Sequence, residues 1–309
     1  MAQEKESKKD FTVIGKDLKA NQAVARPSLT YWQDAWRRFR ENKLAVISLI
    51  FLGLVILYAI IGSWIFPDYK SQSLMNTYQP PGKEFWFGTD ELGRDLFARL
   101  IRGTKISLFI GLIVSVINMV IGIIFGGICG YYGGKLDMVV MRIVDILYGI
   151  PSLIVTILVM VVIGRGITTL IIAMCIVGWI GTCRFVRGEV YRLKNQDFVL
   201  AAKVLGVRNI SIIIRHIIPN IMGLLVTNLC MAIPGAIFQE AFLSYIGLGI
   251  TPPNCSWGIL AKEGVKMLRV APHEVLIPAF FICTTMLALN LLGDGLRDAL
   301  DPRLRGSEG

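Results

Sequence analysis

The sequence predicts an all-α, polytopic membrane protein with six transmembrane helices. Three observations carry this expectation. Apolar types make up 54 % of the 309 residues and charged types 17 %, with mean hydropathy +0.61, whereas a soluble domain carries about a quarter charged residues. Several apolar runs exceed about 18 residues almost without charge, the length needed to cross a hydrocarbon core about 30 Å thick. The runs are continuous rather than alternating, which argues against the strands of a membrane barrel.

The six expected spans cover residues 44–66, 106–128, 143–163, 167–183, 217–242 and 275–296. With six spans both termini share a side. The segments on that side, 1–43, 129–142, 184–216 and 297–309, hold 22 of the 32 Lys and Arg, and the opposite loops hold 10. Cytoplasmic loops retain Lys and Arg, so both termini are expected in the cytosol. The net charge of +10 therefore describes membrane orientation and contact with lipid. It does not call for nucleic acid.

Residues 1–29 are polar and aperiodic and read as a disordered tail. They are too long and too acidic for the basic region of a cleaved signal peptide, so span one is expected to stay attached. In "YWQDAWRRFRENK" (31–43), Trp32, Trp36 and Phe39 share one helical face beside Arg37, Arg38, Arg40 and Lys43. Such a helix is expected in the headgroup region. The loop after span one ends in "GTDELGRDLFARLIRGTK" (88–105). Leu92, Leu96, Leu100 and Ile101 form a stripe that predicts a short amphipathic surface helix, with Arg94, Arg99, Arg102 and Lys105 at the lipid interface. Glycine-rich runs such as "VIGIIFGGICGYYGG" (120–134) predict close helix packing.

Two intramembrane carboxylates stand out, because such groups must pair or face water or protein. Asp145 lies three residues after Arg142, so a local ion pair is one explanation and a gating role another. Glu240, beside Gln239 near the end of span five, is the stronger candidate for a gate or pathway contact. Its alternative is an interfacial carboxylate touching headgroups or the 248–274 loop.

The longest internal cytosolic segment is 184–216. "QDFVLAAKVL" has good helix formers and meets a natural stop at Gly206. "ISIIIRHIIPN" then starts a second helix into span five, with Pro219 near its beginning. Val199, Ala202, Val204 and Leu205 would leave apolar surface outside lipid, which calls for a protein partner.

These residues resemble the EAA loop of bacterial ABC importer permeases: Ala201-Ala202, then Gly206, then Pro219. Leu200 stands where the consensus has glutamate, and His216 where it has an apolar residue. "FGTDELGRDLFARLIRGTKISLFIG" (87–111), "LSYIGLGITPPNCSWG" (243–258) and "GDGLRDALDPRLR" (293–305) are similar to the dipeptide, oligopeptide and nickel permease family, in its second, C-type chain. The resemblance implies a type I ABC importer permease fold: a 1–43 tail and interfacial helix, a 44–103 first helix and loop, a 104–296 type-1 core with five helices and the coupling loop, and a 297–309 tail. It implies that Leu200, Ala201, Ala202, Lys203, Leu205, Gly206 and Arg208 couple to an ATPase. The implied partners are a homologous permease chain, two cytosolic ATPase subunits and an extracytoplasmic substrate-binding protein. The implied function is half of a peptide translocation pathway; a nickel-chelate importer is the alternative within the family, and a channel or scaffold without ATPases the alternative outside it.

The chain itself carries no phosphate loop: Gly15-Lys16, Gly82-Lys83 and Gly134-Lys135 are followed by Asp17, Glu84 and Leu136. ATP with magnesium is therefore expected on partner subunits, with no cofactor here. His216 and His273 are too far apart in sequence to suggest a metal-ligand cluster, and none of the six cysteines forms a C-x-x-C pair.

Overall fold

The computed structural model describes residues 30–300; the predicted N-terminal tail 1–29 and residues 301–309 lie outside them. No strand forms among the described residues, which hold one isolated antiparallel bridge, Thr89 with Asp95. The described residues open with helix α1 (Tyr31–Glu41), held at its start by a capping box in which the Thr30 amide donates to Gln33 Oε1 at 3.1 Å. Trp36 stacks on Phe39, with centroids 5.6 Å apart, and Arg40 lies over Trp36. The stripe is divided, however. Trp32 and Trp36 are exposed, while Phe39 is buried against Ala45 and Ala299. Asn42 then caps α2 (Lys43–Ile65) by accepting from the Ala45 amide at 3.1 Å.

The expected short surface helix before span two is replaced by one continuous helix, α3 (Leu96–Tyr132), of 37 residues. At 1.5 Å per residue it is about 55 Å long, well beyond the hydrocarbon thickness. Its Leu96, Leu100 and Ile101 are buried in protein. Two of the four basic residues placed at the lipid interface are buried as well. Asp90 accepts from the Leu92 and Arg94 amides and from Arg94 Nε at 2.7 Å, and pairs with Arg99. Arg99 also donates to Glu263 at 2.6 Å. Cations cannot be left unpaired in such a site, and removing one member strands the others. Arg102 lies over the Tyr69 ring at 5.2 Å, so only Lys105 remains exposed.

Helices α4 (Gly134–Tyr148) and α5 (Ser152–Ile163) meet at 82°, and α6 (Ile167–Gly178) and α7 (Ile180–Leu193) at 40°. Span three, expected over 143–163, is thus broken at Gly149–Pro151. Pro151 has no amide to continue the ladder and restricts the residue before it. Helices α8 (Asp197–Val204), α9 (Asn209–Ile212), a π turn (Ile213–Ile217) and α10 (Ile218–Asn220) lead into α11 (Met222–Tyr245), followed by α12 (Trp257–Lys266) and α13 (His273–Leu300). Four helices, α2, α3, α11 and α13, are long and apolar enough to cross a membrane alone, and six spans result if each bent pair counts as one. Helix α13 runs on past residue 296 to Leu300.

Glycines let α3 lie against α7. A Cβ at Gly122 would come within 2.7 Å of Thr182 Cβ, and one at Gly130 within 2.7 Å of the Arg187 carbonyl oxygen. Packing, rather than expulsion of water, joins helices in lipid, so this close approach is stabilising. All six cysteines are free. Burial pushes the Cys255 thiol up to about 11, and its Sγ contacts the Arg99 carbonyl at 3.2 Å.

Candidate functional site

Two features stand out, one at the α8 end of the molecule and one inside the spans. Helix α8 projects as a hook. Its Val199 and Ala202 are buried against Ile212, Ile213, Ile217 and the α3 residue Tyr131. The expected apolar surface is therefore corrected: those two residues brace the hook, while Leu200, Val204 and Leu205 are 45 %, 87 % and 80 % exposed. Ala201, Lys203 and Arg208 are exposed with them. Lys203 Nζ sits 5.2 Å over the Tyr131 ring, and Tyr131 OH donates to Asn209 Oδ1 at 2.9 Å.

The hook ends at Gly206, with φ +75°. The Gly206 amide donates to the Lys203 carbonyl at 3.0 Å and the Val207 amide to the Ala202 carbonyl at 3.1 Å. This is the Schellman pattern, which needs a left-handed residue at its centre. Pro219 falls later in the helical run than expected. Without an amide it cannot close an α turn, and the π turn precedes it. The His216 carbonyl accepts from Asn220 Nδ2 at 2.6 Å.

The second feature is a cavity of about 170 Å³ between α3, α6, α7 and α11. Its polar lining is Ser115, Asn118, Thr182, Asn228 and Gln239. Thr182 Oγ1 is 3.3 Å from Asn228 Oδ1, and Gln239 Nε2 is 3.3 Å from Thr156 Oγ1. Ser115 Oγ and Asn118 Oδ1 are buried with no partner among the described residues. Gly178 makes room for Asn118, since a Cβ there would lie 2.8 Å from Asn118 Cγ. Every lining side chain is uncharged. The cavity can exchange hydrogen bonds with a polar solute, and it holds no nucleophile–base pair.

Neither predicted carboxylate lines this cavity. Asp145 pairs with Arg184 of α7, not with Arg142, and Arg184 lies 4.2 Å over the Tyr148 ring. Arg187 binds Asp137 through two bonds of 2.5 Å. Both pairs fasten α4 along α7. Glu240 is fully buried and accepts from Ser107 at 2.8 Å and from Ser244 at 2.7 Å. Ser107 in turn accepts from the Trp257 amide at 3.2 Å. Glu240 thus ties α3, α11 and α12 together through hydroxyls. The sequence reading passed over Ser115, Asn118, Thr182 and Asn228. Their signal was uncharged polar side chains inside three otherwise apolar runs. Among the described residues, no group of three His, Cys, Asp or Glu is arranged to hold a metal ion.

Fold and site together define a helical membrane protein with a polar interior and a braced, apolar-tipped hook at one end. The chain belongs to the family described as the binding-protein-dependent transport system inner membrane component, whose model matches residues 122–306. Residues 30–81 match the N-terminal TM domain of oligopeptide transport permease C. The chain is 49 % identical over 283 residues to the oligopeptide transport system permease protein OppC of Bacillus subtilis (strain 168), covering 91 % of this chain and 93 % of that one. It is 47 % identical over 286 residues to the dipeptide transport system permease protein DppC of the same organism, covering 92 % and 89 %. The solved MetNI methionine ABC transporter, in inward-facing conformations, shares the fold with TM-score 0.50 at 18 % identity, over 66 % of this chain and 96 % of that one. The protein is a multi-pass inner-membrane transport permease.

Proposed function

We propose that this chain forms one half of the translocation path of a peptide importer and couples that path to ATP hydrolysis on other chains. The observation that carries the reading is the hook. Leu200, Val204 and Leu205 present apolar surface on a helix whose opposite face is locked into the protein. An exposed apolar tip on a braced helix fits insertion into a groove on a cytosolic partner. Leu200, Ala201, Lys203, Leu205, Gly206 and Arg208 form the contact and its turn, and Ala202 holds it in place. The partners are a homologous permease, two cytosolic ATPase subunits carrying ATP and magnesium, and an extracytoplasmic binding protein. Both termini face the cytosol, consistent with the bias of Lys and Arg.

The cavity supports a peptide as the cargo. Its uncharged donors and acceptors suit amide groups irrespective of side chain. At about 170 Å³ it is smaller than the ~300–1,000 Å³ of a self-sufficient ligand pocket, as a half-path completed by a second chain would be. ATP binding would draw the ATPases together, move the hook and change which face of the membrane the path opens to.

The test is to co-express the chain with its sister permease, ATPases and binding protein, purify the complex and reconstitute it. The expected result is retention of two ATPase chains and ATP-dependent uptake of a labelled tripeptide. A complex that retains no ATPase would overturn the coupling role. Uptake of a nickel chelate but not of peptides would overturn the cargo.

A further inference from the structure

Helices α2, α3, α11 and α13 line an open apolar groove of about 390 Å³. Leu52, Ile56, Leu108, Leu112, Ile233 and Leu289 lie along it. Gly53 opens it. A glycine inside a helix costs helix stability and normally has a packing reason. Elsewhere on α2 that reason is visible: a Cβ at Gly62 would lie 2.9 Å from Ile101 Cδ1. At Gly53 a Cβ would meet nothing within 4 Å, so no described residue requires the missing side chain. What it leaves is room in the groove.

Lys105 is the one charged residue among the lining side chains, and it is exposed. Ile101, one turn before it, packs at Gly62, close to the Ile65 end of α2. The ammonium therefore sits within reach of the membrane surface nearest that end, where a long lysine side chain extends toward headgroups. The groove also lies on its own flank. Helices α2 and α13 contribute nothing to the polar cavity, whose walls come from α3, α6, α7 and α11.

We propose that this groove binds one anionic phospholipid, with an acyl chain along Gly53 and the phosphate on Lys105. Hydrocarbon is the solvent at this depth, so apolar lining alone confers no preference for the groove over bulk lipid. The cation supplies it. An acyl chain lies along the apolar lining, and its phosphate meets a lysine within reach of the membrane surface.

Native mass spectrometry of the purified transporter complex tests this, using palmitoyl-oleoyl phosphatidylglycerol and the matching uncharged diacylglycerol as probes. Wild-type protein should retain one phosphatidylglycerol saturably and bind diacylglycerol more weakly. Lys105→Gln should lower phosphatidylglycerol affinity about fivefold, the equivalent of about 1 kcal/mol per lysine near a membrane surface, and leave diacylglycerol unchanged. Gly53→Leu, which the open space accommodates, should displace both lipids while the complex stays assembled. Equal lipid retention in all three proteins would overturn the site, as would unsaturable binding of a general lipid annulus. Disulfide crosslinking of Gly53→Cys to a cysteine in the sister permease would assign the groove to a protein interface instead and equally overturn it.

Discussion

At Gly206 the missing side chain fixes the direction of the hook. The residue sits at φ +75°, and a β-branched side chain there is strongly disfavoured, with left-handed geometry costing roughly 1–2 kcal/mol. Gly206→Val should re-aim α8, so that stimulation of ATP hydrolysis by loaded binding protein falls severalfold in vesicles. Assembly with the sister permease, checked on the same sample, should survive because a Cβ there would meet no atom beyond its chain neighbours within 4 Å. Full stimulation in the assembled variant would remove α8 as the coupling element. Glu240 behaves differently. Its Ser107 donor on α3 makes it a tie between helices, while Ser244 of its own helix holds the other oxygen. Glu240→Gln keeps an acceptor and should transport within about twofold of wild type. Glu240→Ala leaves buried hydroxyls unpaired and should cost about 1–3 kcal/mol, seen as a lower melting temperature in detergent. Thermal stability equal to wild type in the alanine variant would contradict this. The sequence singled out Glu240 as an intramembrane carboxylate but could not disclose its role, because the hydroxyl of Ser107 lies 133 positions away.

Within α8 the two faces separate stability from coupling. Val204→Ser with Leu205→Ser alters exposed positions, where substitutions usually stay within about 0.5 kcal/mol, so the double variant should melt as wild type while ATPase stimulation drops. Val199→Ser buries a hydroxyl on the inner face and should lower stability by about 1–3 kcal/mol. Equal loss of stability in both would show that the assignment of faces is wrong. The helix and its glycine stop were legible from propensity and turn chemistry. Its inner face was not, since a run as apolar as "FVLAAKVL" does not announce which residues meet Ile212 and Ile217. The same limit hid the direction of α4. A run of hydropathy records composition, and the break at Gly149–Pro151 turns the chain by 82° without interrupting that composition. Likewise the basic residues of 88–105 looked interfacial because Glu263, the partner of Arg99, is 164 residues away.

Across the whole molecule, the order of spans followed from lengths of apolar runs, while the polar cavity depended on side chains from four helices converging. Orientation is the property to measure at this scale. Single cysteines introduced at Gly82 and Asn254, in a background without the native six, should react with an impermeant thiol reagent in intact cells. One at Asn195 should react only after permeabilisation. Labelling of Asn195 from outside would reverse the assignment of both termini. One element joins the hook to the opposite end of the molecule. Helix α3 runs unbroken from the buried Arg99 pairs to Tyr131 beneath the hook. A rod about 55 Å long that tilts ~5° about its middle carries its two tips ~2.4 Å in opposite senses. Were it to pivot rigidly like a seesaw, a push delivered at Tyr131 would arrive at Arg99 reversed, so one face would part as the other drew in, with no separate signal needed between them.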